Sequence, residues 1–387
     1  MSKRVALLTN FIPPYRLPLY KALSDKVDEF HVFISTPMEA NRSWKPDWEG
    51  LNVTIQKNLT LRRTWRHPHG FLEDLYVHIP YDTLWSLRQY RPNLIISGEM
   101  GMRTVQALLY RKLNPDSRMI LWATVSEYSE QGRGKLREQL RRSLVPQADA
   151  VLVNGQSGAR YVNQFGVRDE SIFFAPYTTN IEPFLSVPLL RSPEDAYRLL
   201  YVGQLVERKG LIPFLSTLGR WAKAHPERNV EFCIVGDGPM RSTLEQQVWP
   251  PNLAVQFLGN VEYAHLPEIY AHAGIFVFPT LADEWGLVTN EAMAAGLPVL
   301  GSYYSQSVEE LVVEGETGWR FHPDKLEEIE LALDQALSMP IEQLEAMRGK
   351  ARERVEQITP EFVASEILEA MEYVSPQSSK TILKQNL

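Results

Sequence analysis

Two carboxylates stand eight positions apart in the stretch PTLADEWGLVTNEAMAAGLPVLGS, Pro279 to Ser302. They are Asp283 and Glu291, and Glu284 lies beside the first. An ionised carboxylate only accepts hydrogen bonds and can hold two adjacent hydroxyls. The apolar run Ile275-Phe276-Val277-Phe278 enters the stretch and reads as a buried strand of a parallel sheet. Asp283, Glu284 and Gly286 fall in the polar loop after it. Glu291 falls on a short helix, which Gly296 is placed to end and Pro298 cannot continue. Val299 and Leu300 begin the next strand. This strand-loop-helix-strand unit puts both carboxylates at the carboxyl end of a strand, where open α/β sheets bind ligands. The plainer reading of the same acids is a solvated loop and helix face.

The rest of the chain must supply sheets to carry such a site. Its 387 residues suggest two domains. The single cysteine, Cys233, excludes an internal disulfide framework and fits a reducing compartment. It lies in the apolar run Phe232-Cys233-Ile234-Val235 and reads as a core thiol. No apolar stretch approaches the roughly 20 residues that span a bilayer. Val5 to Leu8 is too short for a signal-peptide core, so the expectation is a cytoplasmic chain. The net charge of −7 hides an asymmetry: 24 Lys and Arg face 18 Asp and Glu up to residue 185, and 16 face 29 beyond it. A basic half beside an acidic half suggests different partners for each. With an acidic total and no recognition motif, a nucleic-acid partner is not expected.

Val5 to Leu8 reads as the first strand. The loop Thr9 to Pro14 after it has no glycine, which argues against a dinucleotide fingerprint. Helix Leu17 to Leu23 and strand Phe30 to Ile34 complete a βαβ unit. Residues 41–70 read as irregular, with Trp44, Trp48, Arg62, Arg63, Trp65, Arg66, His67 and His69. His67-Pro68-His69 is a poor metal site, since no third ligand is placed nearby in sequence. The arginines and aromatics suit an anionic lipid or lipid-linked acceptor, or simply a surface loop with packed tryptophans. Asn93 to Ser97 and Met119 to Trp122 read as buried strands, with Glu99 and Glu127 near their ends. Gly132 to Leu144 is basic, with Leu136, Leu140 and Leu144 on one stripe. It reads either as a helix lying on an anionic membrane surface or as one packing its leucines on the sheet. Ala150 to Asn154 and Ile172 to Ala175 add two short strands, and Pro176 to Pro193 reads as a linker.

The βα alternation restarts at Arg198 to Val202, followed by the loop Gly203 to Gly210. Ser307 to Glu310 has capping-box spacing, which predicts a helix amino end with free N–H groups. Helices are expected from Leu326 to Tyr373. The domains expected are 1–185 and 186–374, with 375–387 a disordered polar tail.

The acidic stretch resembles the signature of retaining glycosyltransferases of family 4. Two acids there flank an aromatic-Gly-Leu, here Trp285-Gly286-Leu287. The resemblance implies an α/β chain of GT-B type, with two Rossmann-like domains whose parallel sheets face a central cleft, and with last helices that cross back to the N-terminal domain. It implies that Glu291 holds the donor's ribose hydroxyls. Asp283, where the family usually has Glu, lies near the transferred sugar, with Glu284 beside it. The loop after Val202 resembles the family's diphosphate-binding loop. Lys209 matches its Lys, Gln204 stands where it has Arg, and Arg208 is the nearby cation. Such a cation is needed because breaking the sugar–phosphate bond develops negative charge, and the sequence has no Asp-x-Asp pair to hold a metal. Val261 falls in the turn that resembles the nucleobase-holding one, and Ser305 and Ser307 stand where the family has glycines. Tyr15 and Arg16 are acceptor-contact candidates. Glu99 and Glu127 occupy the region where many members have a histidine. The implied protein moves a sugar from a nucleotide-sugar donor to a glycan or lipid-linked acceptor, with retention and without a metal. It has no cofactor, the nucleotide sugar being a co-substrate, and peripheral contact at the inner face of the cell membrane is expected. The alternatives are a non-catalytic nucleotide-sugar-binding protein or partner subunit of the same fold, and another GT-B enzyme such as an epimerase or a pyridoxal-phosphate-dependent phosphorylase.

Overall fold

The structure, a computed structural model, describes residues 3–39 and 45–375. Trp44 and positions 376–387 of the tail lie outside the described residues. The chain divides into two compact units. The first takes in residues up to Thr178 together with those from Ile358 onward, and the second runs from Thr179 to Gln357.

The first unit is built on a seven-stranded sheet. Its order is Asn52–Ile55, Glu29–Ile34, Arg4–Thr9, Leu94–Gly98, Arg118–Ala123, Ala150–Val153 and Ile172–Phe174. The second has six strands in the order Leu253–Gly259, Val230–Val235, Leu199–Val202, Ile275–Phe278, Val299–Ser302 and Gly318–Phe321. Every neighbouring pair in both sheets is parallel. The central strands are apolar runs buried along their length, because helices cover both faces of a parallel sheet. In each unit the strand order reverses beside the first strand. The loops leaving Thr9 and Gly98 flank that point in one sheet, and those leaving Val202 and Phe278 in the other. Such switch points are where doubly wound sheets hold ligands.

The last helix, Pro360–Tyr373, belongs to the first unit. The Thr359 side chain accepts from the Phe362 backbone N–H at 3.1 Å and caps it. Val363, Ile367 and Met371 enter a core shared with Leu19, Leu23 and Phe30. In the second unit Phe214, Leu218 and Trp221 of helix Leu211–Ala224 pack with Ile329 and Leu333 of helix Leu326–Ser338 and with Met347 of helix Ile341–Glu356.

Three local expectations are corrected. Residues 41–70 are not irregular throughout: Asn52–Ile55 is the edge strand, and Asn58–Arg66 pairs antiparallel with Leu72–Pro80. The hairpin's arms are half-buried or exposed, so they lack the apolar run that marks a core strand. At its far end Trp65 Nε1 donates to the Gly132 carbonyl at 3.1 Å, and the Arg133 guanidinium lies 3.7 Å from the Trp65 ring centroid. His67 is a packing residue. Its Nε2 lies 2.8 Å from the Tyr128 carbonyl and its ring stacks on Phe71. In the basic helix, observed as Lys135–Leu144, Leu144 is buried but Leu136 is 81% exposed. Arg141 turns inward instead, onto Glu130 and the Tyr161 hydroxyl. Cys233 is only half-buried. Its side chain leaves the sheet on the face that carries exposed Glu231 and Gln256, and burial pushes its thiol up, away from a reactive thiolate.

No helix among the described residues is long and apolar enough to cross a membrane.

Candidate functional site

The loops leaving Val202 and Phe278 are fastened to each other in the second unit. The Leu281 backbone N–H donates to the Arg208 carbonyl at 2.8 Å, and the Thr280 hydroxyl donates to the same carbonyl at 3.1 Å. Gly210 makes this approach possible. Its φ is +69°, and a Cβ there would stand 2.1 Å from the Pro279 carbonyl oxygen. Gly210→Ala is expected to destabilise the second unit by about 2 kcal/mol or more, read as a lower urea midpoint, because both the conformation and the space favour glycine.

This fastening brings two cations to one carboxylate. Lys209 Nζ lies 2.5 Å from Asp283 Oδ2, and Arg208 Nη1 lies 3.3 Å from the same oxygen. Arg208 Nη1 also donates to the Ala282 carbonyl at 2.8 Å, which fixes the guanidinium. Lys209 Nζ sits 5.0 Å from the centroid of the Phe278 ring. Burial pushes the Asp283 carboxyl up, but Lys209 and Arg208, helped by the Trp285 backbone N–H, bring it below its usual value. Asp283 is therefore an ionised acceptor at neutral pH, and two positive charges stand beside it.

Glu291 comes from helix Leu287–Ala294, which starts at Gly286 with φ +103°. A Cβ on Gly286 would lie 2.4 Å from the Phe278 ring, so the helix begins directly against the strand. Glu291 is 5% exposed, which rules out the solvated-face reading. The Tyr270 hydroxyl donates to Glu291 Oε2 at 3.5 Å, and the Tyr263 hydroxyl, which donates to the Asn180 carbonyl at 3.1 Å, also lies against the carboxyl. Burial pushes Glu291 up to about 7, with the two tyrosine hydroxyls pulling it back. Tyr263 is itself pushed up to about 12 by burial beside Glu291 and so stays a donor. Neither tyrosine was visible as a site residue in sequence. Tyr263 lies just beyond Val261, in the largely exposed turn after strand Leu253–Gly259, and only the fold brings its hydroxyl to Glu291.

The serines of the next loop are braces. The Ser305 hydroxyl donates to the Trp285 carbonyl and lies 2.9 Å from the Ser307 hydroxyl, which in turn donates to Thr289 Oγ1 at 2.9 Å. Both serines are fully buried. The capping-box expectation at Ser307 is corrected. The helix begins at Gln306, Ser305 stands at its N-cap, and the Ser307 backbone N–H donates to the Trp285 carbonyl at 3.3 Å. A tertiary acceptor thus outcompetes the local cap. The Glu284 carbonyl accepts from Gln306 Nε2 at 2.7 Å, and its side chain is half-buried. Gln204 is exposed, and its carbonyl accepts from the buried Tyr201 hydroxyl at 2.9 Å.

The remaining candidates lie in the first unit and do not form one cluster. Glu99 has φ +65° and touches Asn10 Nδ2 through Oε1. Asn10 Oδ1 accepts from the buried Arg103 at 2.8 Å. Glu127 Oε2 accepts from Arg160 Nε at 2.7 Å and from the Ser157 hydroxyl at 3.2 Å. Arg16 is packed between the rings of Trp122 and Tyr177, and Tyr15 stacks on Tyr177. No group of three or more metal-ligating side chains occurs among the described residues.

Residues 188–354 match the family model of glycosyl transferases group 1. An uncharacterized glycosyltransferase of Methanocaldococcus jannaschii is 31% identical over 147 residues, which is 38% of this chain and 37% of that protein. A sulfoquinovosyl transferase of Arabidopsis thaliana is 25% identical over 263 residues, 62% of this chain and 49% of that one. An N-acetyl-D-galactosaminyltransferase of Campylobacter jejuni, named for a glycan on PP-undecaprenol, is 26% identical over 196 residues, 50% of this chain and 52% of the other. The chain thus spans between about a third and a half of the length of these relatives. Two solved structures each superpose with a TM-score of 0.69 over 95% of this chain and 99% of their own. One is the lipopolysaccharide outer core galactosyltransferase WaaB at 13% identity, and the other is HepE of Anabaena, in complex with UDP, at 16%. With the two Rossmann-like parallel sheets, these likenesses give the chain the GT-B fold.

Proposed function

We propose that this chain is a retaining, metal-independent glycosyltransferase that moves a sugar from a nucleotide-sugar donor to a glycan or lipid-linked acceptor. The observation that carries the reading is the Lys209–Asp283–Arg208 group at the carboxyl end of the second sheet, in the same helix-loop unit as the buried Glu291. The match of residues 188–354 to a glycosyl transferase family supports it, as do the structural likeness to HepE with UDP and the PP-undecaprenol in the name of the Campylobacter relative. Retention rests on the resemblance of the acidic stretch to family 4.

In this reading Glu291 takes the ribose hydroxyls, and Tyr263 and Tyr270 hold it in place. Lys209 and Arg208 turn from Asp283 to the donor's diphosphate. Asp283, with Glu284, is thereby freed to accept from hydroxyls of the transferred sugar. The bond from the anomeric carbon to the diphosphate oxygen breaks, and the acceptor oxygen bonds that carbon. The acceptor's hydroxyl proton goes to a phosphate oxygen or to water. The two cations stabilise charge on the leaving diphosphate in a site of low water content. Ser305 and Ser307 act on the donor only through the loop they brace. Peripheral contact with an anionic membrane is part of the proposal. Leu136 and Leu140, exposed beside Lys135 and Arg142, support it.

A panel of nucleotide sugars, read by nucleoside diphosphate release from the intact chain and from Glu291→Ala, tests the reading. One donor should be turned over, with water or a membrane extract as acceptor, and Glu291→Ala should abolish it. A donor that raises the melting temperature without any diphosphate release would instead identify a binding protein.

A further inference from the structure

We propose that Arg16 is the centre of an anion site in the first unit, taking a phosphate or carboxylate group of the acceptor. The word acceptor rests on the transferase reading; the anion does not. Arg16 ends the short turn Pro14–Arg16 that follows strand Arg4–Thr9, and it is 5% exposed. Its guanidinium carbon lies 4.5 Å from the Trp122 ring centroid and 3.9 Å from that of Tyr177. Tyr20 packs edge-on to Trp122, and Tyr15 stacks on Tyr177. Trp122 is near the carboxyl end of strand Arg118–Ala123, and Tyr177 follows strand Ile172–Phe174. The cage therefore occupies the ligand-binding end of the sheet.

The cage leaves the cation without its natural partner. Among the described residues, Arg16 Nη1 is buried with no hydrogen-bond partner. The polar side chain bonded to this guanidinium is the Tyr177 hydroxyl. Arg348, Arg103 and Arg141 also leave a buried nitrogen without a partner among the described residues, yet other buried arginines of this chain have oxygen acceptors of the carbonyl or carboxylate kind, Arg348 donating to the Ala196 carbonyl. Arg103 donates to Asn10 and the Gly98 carbonyl, Arg141 to Glu130, and Arg191 to the carbonyls of Ala273, Tyr270 and Ala295. Arg16 has two aromatic rings against its guanidinium and, among the described residues, no carboxylate bonded to it. Ring faces attract a cation but accept no hydrogen bond in the guanidinium plane. That plane is a fork suited to phosphate or carboxylate. The groups that act electrostatically on this guanidinium are the hydroxyls of Tyr177, Tyr20 and Tyr15. Tyr177 is half-buried and ends two residues of chain before the second unit, so it is the part of the cover that can give way.

Phenyl phosphate and glucuronate, titrated at constant ionic strength into the full chain, are the probes, read by melting temperature. Phosphate also has Lys209 and Arg208 to bind, so Lys209→Met is run in parallel. The expected result is a stabilisation that persists in Lys209→Met and is weakened about tenfold or more in apparent Kd by Arg16→Met, with the probe-free melting temperature of Arg16→Met equal to or above the parent's. A preference for phenyl phosphate assigns a phosphorylated acceptor, and one for glucuronate a uronic-acid acceptor. An Arg16→Met protein that melts lower without probe yet responds to both probes like the parent overturns the site and makes Arg16 a packing residue. Should Arg16→Met not fold, the Arg16 Nε–H resonance, assigned by its loss in Arg16→Lys, must shift on adding phenyl phosphate to the parent; no shift overturns the site. Diphosphate release by the unsubstituted protein is scored separately. Its absence for every donor removes the transferase reading while leaving Arg16-dependent anion binding to stand or fall alone.

Discussion

Lys209→Met should lower the rate of nucleoside diphosphate release by about 10²- to 10³-fold, the usual cost of deleting one group aimed at charge that develops in the transition state. Met keeps an unbranched apolar stem one atom shorter than that of Lys, so the loss is chiefly that of the ammonium charge. Lys209 is the closer of the two cations, at 2.5 Å from Asp283 against 3.3 Å for Arg208. Arg208 is also committed to the Ala282 carbonyl, so it moves less freely to a phosphate. Lys209→Arg should not restore full activity, because a planar fork cannot take the place of a compact ammonium in this geometry. The pH profile provides a second readout. Asp283 is held below its ordinary value by both cations, so the stability its ionisation contributes is present above about pH 4 and is lost as pH falls through its lowered value. Without Lys209 the burial cost is met only by Arg208 and the Trp285 backbone N–H, and the carboxyl rises. The acid limb of activity and of melting temperature should therefore move to higher pH in Lys209→Met. An unchanged profile with unchanged diphosphate release would remove Lys209 from the mechanism.

Features of this site that were legible in the sequence share a physical basis. The strands Leu199–Val202 and Ile275–Phe278 are apolar throughout because helices cover both their faces, and the loops at their carboxyl ends are polar and punctuated by Gly203, Gly210 and Gly286. Lys209, Asp283 and Glu291 therefore stand out against their surroundings. What sequence could not show depends on partners distant along the chain. Glu291 looks like any helix carboxylate until Tyr263 and Tyr270 are brought onto it. Arg16 looks like a surface residue at a helix start until Trp122 and Tyr177 close on it. Ser307 satisfies a local capping pattern, yet the Trp285 carbonyl, placed by the fold, takes its backbone N–H instead. The hairpin Asn58–Pro80 is hard to read for a different reason: one arm is largely exposed and the other mostly half-buried, so it carries no buried period.

Glu291 presents the opposite case to Asp283, a carboxylate whose ionisation the fold opposes. Burial raises it to about 7, from an ordinary value of 4.5, with only the hydroxyls of Tyr263 and Tyr270 pulling it back. Between about pH 4.5 and pH 7 the folded protein holds a proton that the unfolded chain has released, so stability falls as pH rises through that window and levels off above it. Glu291→Gln removes the titration, and it keeps a carbonyl oxygen to accept from Tyr263 and Tyr270. It is expected to stabilise the second unit at pH 8 by roughly 2–3 kcal/mol, with little gain at pH 4, measured by urea unfolding at the two pH values. The same variant should weaken nucleotide-sugar binding about tenfold or more, since a neutral amide is a poorer acceptor for ribose hydroxyls than a carboxylate. The two effects have one cause: the fold tolerates a destabilising buried acid where a ligand with paired hydroxyls would meet it. Donor binding should accordingly release part of a proton near pH 7, seen as a dependence of calorimetric heat on buffer ionisation enthalpy. If Glu291→Gln is less stable than the parent at pH 8 and binds donor equally well, Glu291 is a structural acid and the ribose assignment falls.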